Sequence, residues 1–189
     1  RARTPLACSP TMAPFPGRSN TMTLLHRILN LPARVLYLAL FLVATGLLGF
    51  GLYLQHGLGL EPCPMCIMQR YAFATAALIA LIAGLHAPGR GGERIYAVLI
   101  GAAALTGGMI AARQSWMQLN PPLIPECGPG LEFMLESFPL AQALPMIFRG
   151  AGDCTVIEWT FLGLSIANWS LVSFTATVLF AGWMLLRRS

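Results

Sequence analysis

The stretch Val35–Leu54 reads VLYLALFLVATGLLGFGLYL and contains no charged residue. A helix needs about 20 mostly apolar residues to cross the hydrocarbon core of a bilayer, and this stretch has that length. Further apolar runs follow it along the chain. The sequence therefore predicts an all-α integral membrane protein, a bundle of four transmembrane helices at about 35–54, 66–85, 95–113 and 169–186.

The composition of the whole chain agrees with this fold class. Only 10% of the 189 residues are charged and 56% are hydrophobic, whereas about a quarter of the residues of a soluble domain are charged. We therefore expect a lipid bilayer to cover most of the surface. All twelve basic residues are arginines, scattered singly around the apolar runs. Because they form no basic face, the sequence indicates that nucleic acid is not a partner.

The positions of the arginines predict the orientation. Cytoplasmic segments of membrane proteins are enriched in basic residues. Arginines precede the first predicted helix, separate the second from the third and follow the fourth: Arg27, Arg34, Arg90, Arg94, Arg187 and Arg188. Both termini are therefore predicted to be cytoplasmic. The segments at about 55–65 and 116–168 are then loops on the opposite, external side.

The amino-terminal segment has a different composition from the rest. Residues 1–22 contain no acidic residue, several prolines and scattered Arg, Thr and Ser. They are predicted to be an unstructured extension, with Met22 as a plausible natural start and Cys8 as an incidental thiol. The membrane domain is expected to span residues 23–189.

Four cysteines fall on the predicted external side or at its membrane boundary: Cys63, Cys66, Cys127 and Cys154. Disulfides persist outside the cytoplasm, so this grouping indicates disulfide chemistry. Four cysteines can pair in three ways. The sequence favours Cys63–Cys66 together with Cys127–Cys154. A zinc site was the alternative, but Cys127 and Cys154 lack the paired spacing of such sites, and no metal is predicted.

The first pair lies where the second predicted helix begins. Prolines at positions 62 and 64 suit a helix entry, where unpaired amide N–H groups favour an ionised thiol at Cys66. Arg70 follows Cys66 by one helical turn. A charge just inside a span is costly and is usually functional. We expect Arg70 to stabilise a thiolate or bind a polar head group, although it could also extend to the interface.

The second pair belongs to the long loop. Cys127 stands among prolines and glycines, and Cys154 follows Gly152, so both settings are irregular. A disulfide here is either a structural clip closing a loop of about 27 residues or an exposed, exchanging bond. Between the two cysteines, Leu131–Phe138 carries apolar residues at helical spacing. It is predicted to be a short amphipathic helix that rests on the membrane interface.

These features together resemble the bacterial DsbB family of disulfide bond formation proteins. The likeness covers about Leu24 to the end of the chain. The residues that carry it are Pro62-Cys63-Pro64-Met65-Cys66, Gln69-Arg70-Tyr71, Cys127-Gly128-Pro129-Gly130, Gly152-Asp153-Cys154 and Trp159-Thr160-Phe161-Leu162-Gly163-Leu164.

The resemblance implies a quinone-dependent thiol oxidase of the bacterial inner membrane, with the loops at about 55–65 and 116–168 in the periplasm. A reduced periplasmic DsbA-like protein of thioredoxin fold would attack Cys127, the released Cys154 would attack Cys63, and Cys66 would meet a bound quinone beside Arg70. Ubiquinone or menaquinone would carry the electrons into the membrane quinone pool. Some relatives place a histidine near the quinone at the external end of the third span, where the comparable stretch of this chain reads Arg113-Gln114-Ser115. Gln114 could donate a hydrogen bond to a quinone carbonyl there. The alternatives are a relative serving a dedicated DsbA-like partner and a non-catalytic membrane protein with structural cysteines.

Overall fold

The computed structural model describes residues 31–121 and 159–187, together with residues 137, 139, 154, 155 and 157. In these parts the chain forms helices α1 (Ala33–Leu58), α2 (Pro64–His86), α3 (Arg90–Leu119) and α4 (Ile166–Leu186), and strands β1 (Thr160–Phe161) and β2 (Leu164–Ser165). All four of the helices described are long and apolar enough to cross a membrane. The prediction of four spanning helices is confirmed, and the chain is a multi-pass membrane protein.

The ends of the helices differ from those predicted. Helix α3 begins at Arg90 and continues to Leu119, beyond the predicted end at 113. The predicted loop 116–168 therefore loses its first residues to α3 and its last residues to α4, and the loop 55–65 shortens to 59–63. The apolar pattern of a sequence marks only the part of a helix that lies in the hydrocarbon core of the bilayer. Backbone hydrogen bonding continues the helix past the hydrocarbon core.

Three sequence predictions lie outside the described residues. They concern the extension at 1–22, the position of Cys127 and, apart from Ser137, the amphipathic helix at Leu131–Phe138.

Consecutive helices pack against each other along the bundle, α1 on α2, α2 on α3 and α3 on α4. In the middle, the rings of Phe73 on α2 and Phe174 on α4 stack with their centroids 4.0 Å apart. Gly107 on α3 makes this approach possible, because a Cβ atom there would lie 2.3 Å from the Phe174 ring. Small residues at helix contacts are the usual basis of association in lipid.

A short β-hairpin that the sequence analysis did not predict precedes α4. Strands β1 and β2 pair antiparallel, with Phe161 opposite Leu164, and the turn places Leu162 and Gly163 at positive φ. The indole Nε1 of Trp169 donates a hydrogen bond to the Phe161 carbonyl at 3.0 Å. Ser165 then caps α4, and its hydroxyl donates to Gln118 Oε1 at 2.6 Å. These bonds fasten the start of α4 to the end of α3.

Candidate redox site

The site begins at the start of α2. Cys63 is the N-cap residue, and its Sγ accepts a hydrogen bond from the backbone N–H of Cys66 at 3.3 Å. Pro64 occupies the first turn, where its missing N–H leaves no bond unmade. This turn brings the Sγ atoms of Cys63 and Cys66 to 2.7 Å from each other. The two sulfurs are thus adjacent at the end of a helix that points amide hydrogens at them.

Cys154 lies against the same pair. Its side chain is fully buried and belongs to an apolar cluster with Cys63, Met65, Ile110 and Met117. The Cys154 thiol is a hydrogen-bonding neighbour of Cys63. Contact with Cys154, then contact with Cys66, and then burial raise the pKa of the Cys63 thiol above its ordinary value. Cys63 therefore contacts both of the other sulfurs.

Gln114 of α3 provides the polar contact to the sulfurs. Its Nε2 donates to Cys63 Sγ at 3.3 Å and to Cys66 Sγ at 3.2 Å. Its Oε1 accepts a hydrogen bond from Gln69 Nε2 at 2.7 Å. Both glutamines are only 3% exposed. The sequence analysis selected Gln114 for a possible quinone contact, whereas the structure directs its amide at the sulfurs.

Gln69 was missed by the sequence analysis. A single uncharged polar residue in an apolar helix does not show whether its side chain faces the bundle or the lipid. Little in the sequence therefore favoured Gln69 as a site residue. Gln69 follows Cys66 by three residues, which places the two on one side of the helix. Gln69 also belongs to the stretch Gln69-Arg70-Tyr71 that carries the family resemblance, but neither that stretch nor the spacing assigned it a contact.

Arg70 points toward α1. Its Nη1 donates to Gln55 Oε1, and its Nη2 donates to the Gly51 carbonyl at 3.0 Å. The half-buried guanidinium therefore joins α2 to α1. Since these two bonds use only part of the five N–H donors of an arginine, the group can also bind a ligand.

A cavity of about 850 Å³ opens beside the cysteines. Its walls come from all four helices, from the segment between α1 and α2 and from residues that precede α4. The polar lining includes Cys63, Cys66 and Arg70 together with Glu61, glutamines and serines, and the apolar lining includes leucines, isoleucines, phenylalanines and tryptophans. Small-molecule sites typically have a volume of about 300–1,000 Å³ and are mostly apolar with a few directed polar groups. The cavity therefore has the dimensions of a binding site for a largely apolar ligand, with a sulfur in its wall.

In this site, two adjacent sulfurs and a third in contact with them lie beside a cavity. Comparison with known protein families agrees with a site for cysteine chemistry. The family model described as "Disulfide bond formation protein DsbB" matches residues 33–184. The chain belongs to the DsbB family. The resemblance seen in the sequence is thereby confirmed, and membership of the DsbB family supports a role in disulfide bond formation.

Individual members of the DsbB family are similar over most of their length. The disulfide bond formation protein B of Azoarcus sp. (strain BH72) is 66% identical over 155 residues, which cover 82% of this chain and 93% of the relative. That of Aromatoleum aromaticum (strain DSM 19018 / LMG 30748 / EbN1) is 67% identical with the same coverage. That of Hahella chejuensis (strain KCTC 2396) is 49% identical over 142 residues, 75% of this chain and 86% of the relative.

Proposed function

We propose that this DsbB family member is a quinone-dependent thiol oxidase of the bacterial inner membrane. It reoxidises a periplasmic DsbA-like protein of thioredoxin fold and delivers the electrons to ubiquinone or menaquinone. The observation that carries the proposal is the contact of Cys154 with Cys63, beside a cavity that Cys66 and Arg70 line. A purely structural pair of disulfides needs neither this contact nor the cavity.

The contact supports a definite order of thiol exchange. A thiolate of the partner attacks Cys127 of a Cys127–Cys154 disulfide, and the broken bond leaves its electron pair on Cys154. Cys154 then attacks Cys63, a Cys63–Cys154 bond forms, and the Cys63–Cys66 bond breaks. The negative charge passes to Cys66, which faces the cavity. Each step needs a thiolate and a sulfur within its reach, and the Cys154–Cys63 contact provides that reach.

The residues around the cavity fit a quinone. A ring with two carbonyl oxygens needs hydrogen-bond donors at one end and apolar walls along its length. Arg70 provides donors in the cavity wall, and Gln114 lines the same cavity with its amide N–H groups directed at the sulfurs. Leu47, Leu48 and Phe73 provide part of the apolar wall. When bound, a quinone accepts the two electrons that the cysteines have collected.

A strongly oxidising acceptor is required on energetic grounds. The DsbA couple lies near −120 mV, so few protein disulfides can oxidise it. Arginine counts support placing the cysteine loops in the periplasm and both termini in the cytoplasm. In that orientation the site receives thiols from the periplasm and an apolar acceptor from the bilayer.

The test is turnover by the purified protein in detergent or lipid. The parent protein, mixed with a reduced DsbA-like protein and ubiquinone or menaquinone, is expected to reduce the quinone catalytically. Cys66→Ser is expected to abolish that reduction, and Cys8→Ser is the matched control that retains it. Quinone absorbance and partner oxidation, followed together, measure both halves of the reaction. Retained turnover in Cys66→Ser, or no turnover of the parent with either quinone, contradicts the proposal.

A further inference from the structure

The strongest unexplained feature beside the cysteines is the buried pair of glutamines. A buried amide in a bundle surrounded by lipid is costly unless its hydrogen bonds are made. Here the bonds form a chain that runs from Gln69 Nε2 to Gln114 Oε1, and from Gln114 Nε2 to the Sγ atoms of Cys63 and Cys66. Each of these hydrogen bonds joins α3 to α2 or to its N-cap residue, Cys63.

The direction of the chain matters because a side-chain amide has two different faces. Its NH₂ group donates hydrogen bonds and stabilises negative charge, whereas its oxygen repels negative charge. Gln69 donates to the oxygen of Gln114, which turns the NH₂ of Gln114 to the sulfurs. Among the residues that the structure describes, the bond from Gln69 is the one that fixes which face of Gln114 meets Cys66. The two hydrogens of one NH₂ group suffice for two sulfurs.

The charge on the sulfur pair changes during exchange. When a thiolate attacks Cys63 Sγ, a new S–S bond forms at Cys63 and the Cys63–Cys66 bond breaks. The electron pair of the broken bond remains on Cys66 as a negative charge. The Gln114 N–H, 3.2 Å from Cys66 Sγ, is placed to stabilise that charge. Hydrogen bonds to charged groups are about twice as strong as those between neutral groups.

We propose that Gln114 stabilises the Cys66 thiolate through its amide N–H, and that Gln69 is a positioning residue that holds Gln114 in this orientation. Together they make the Cys63–Cys66 disulfide easier to reduce. The proposal rests on the redox role of this pair in the proposed function, and it assigns Gln69 a part that the sequence analysis did not foresee.

The test measures the equilibrium between the Cys63–Cys66 disulfide and its reduced form in glutathione redox buffers. The other cysteines are replaced by Ser, so that only this pair titrates, and no DsbA-like partner or quinone is added. Gln69→Met and Gln114→Met suit the site because Met is unbranched and of similar length to Gln. Thermal unfolding in the same detergent checks that each variant keeps its fold.

Both variants are expected to lower the equilibrium constant for reduction by about tenfold, which is about 30 mV for this two-electron couple. The double variant is expected to be no lower than Gln114→Met alone, because Gln69 acts only through Gln114. Thr106→Val is the control for removing a polar side chain from α3. The Thr106 hydroxyl bonds the Ala102 carbonyl at an exposed position and does not line the cavity, so the constant should stay at the parent value.

Several results would overturn the inference. Parent-like constants in Gln69→Met and Gln114→Met exclude a role in stabilising the thiolate. Additive effects in the double variant show that Gln69 acts independently and exclude the positioning role. If Gln69→Met is not recovered folded, Gln69→Leu replaces it, because an uncharged apolar side chain of similar size also cannot donate to Gln114. A parent pair that fails to titrate at all is a different result, since it contradicts the proposed redox function.

Discussion

Helices α2 and α3 pass through two regions of opposite character. Near the cysteines they bury the Gln69–Gln114 pair, which makes hydrogen bonds to each other and to sulfur. Nearer the middle of the bundle they meet α4 around Gly107, where Phe73 stacks on Phe174 and no polar side chain belongs to the described apolar cluster. The same two helices therefore support chemistry at one level and association at another.

The difference between the two regions predicts that substitutions can change the reaction and the stability of the bundle separately. Close packing of small and aromatic residues stabilises helix association in lipid without any polar group. The net contribution of a buried amide hydrogen bond to helix association is smaller than the free-energy cost of leaving one of its partners unpaired. We therefore expect changes at the cysteine level to alter the reaction more than the fold, and changes at the Phe174 level to do the reverse. The variants below test that separation from the largest expected effect to the smallest.

Cys63→Ser is expected to have the largest effect on the reaction and little on the fold. Serine is a good N-cap residue, so its Oγ can replace Sγ as the acceptor for the Cys66 N–H and preserve the start of α2. It cannot form a disulfide, so turnover with a reduced DsbA-like partner and quinone should fall to background. The measurement is quinone reduction together with thermal unfolding. Loss of the folded bundle would show that the two levels are not separable.

Arg70→Gln is expected to weaken quinone use by about tenfold or more, seen as a rise in KM for quinone, as for loss of a charged hydrogen-bond donor. Arg70 lines the cavity and bonds Gln55 and Gly51 of α1. Arg113→Gln is the matched control, because the Arg113 side chain is exposed on α3. Steady-state kinetics at varied quinone concentration separates KM from kcat. Equal effects of the two substitutions would remove Arg70 from the site.

Sequence reasoning recovered the spans because lipid imposes a simple requirement on Val35–Leu54 and the later runs. It could not place the end of α3, since residues beyond 113 continue a helix that no longer needs apolar side chains. It selected Cys63, Cys66 and Arg70 from local spacing. Local spacing cannot show that Arg70 reaches α1.

Contacts between helices were the least predictable part of the site. Gln69 and Gln114 are 45 positions apart, and their hydrogen bond depends on how α2 and α3 are rotated against each other. The contact of Cys154 with Cys63 likewise depends on the path of a long loop. The hairpin at Thr160–Ser165 is too short for periodicity to reveal.

Gly107→Ala is expected to destabilise the bundle while leaving the chemistry of the folded fraction unchanged. The added Cβ would lie 2.3 Å from the Phe174 ring and 2.8 Å from Ala72 Cβ. Overpacking of this kind typically costs about 1–3 kcal/mol. Gly108→Ala is the matched control, because its nearest atom, Phe174 Cβ, is at the ordinary distance of 3.5 Å. Unfolding in denaturant measures the difference, and equal stability of the two variants would contradict the packing.

Tyr37→Phe tests the end of the bundle farthest from the cysteines and is expected to have the smallest effect. The Tyr37 hydroxyl donates to the Glu93 carbonyl at 2.7 Å, and the buried ring packs edge-on against Phe180. Phenylalanine keeps the ring. The Glu93 carbonyl lies in the first turn of α3, where it can still accept a helical hydrogen bond, so we expect a loss of only about 1 kcal/mol.

Tyr96→Phe is the matched control for Tyr37→Phe, because its hydroxyl bonds His86 at an exposed position, where water replaces the lost partner. Its stability should equal that of the parent, and turnover with quinone should be unchanged in both variants. A change in KM or kcat in Tyr37→Phe would mean that the two ends of the bundle communicate. The separation between association and chemistry along α2 and α3 would then have to be abandoned.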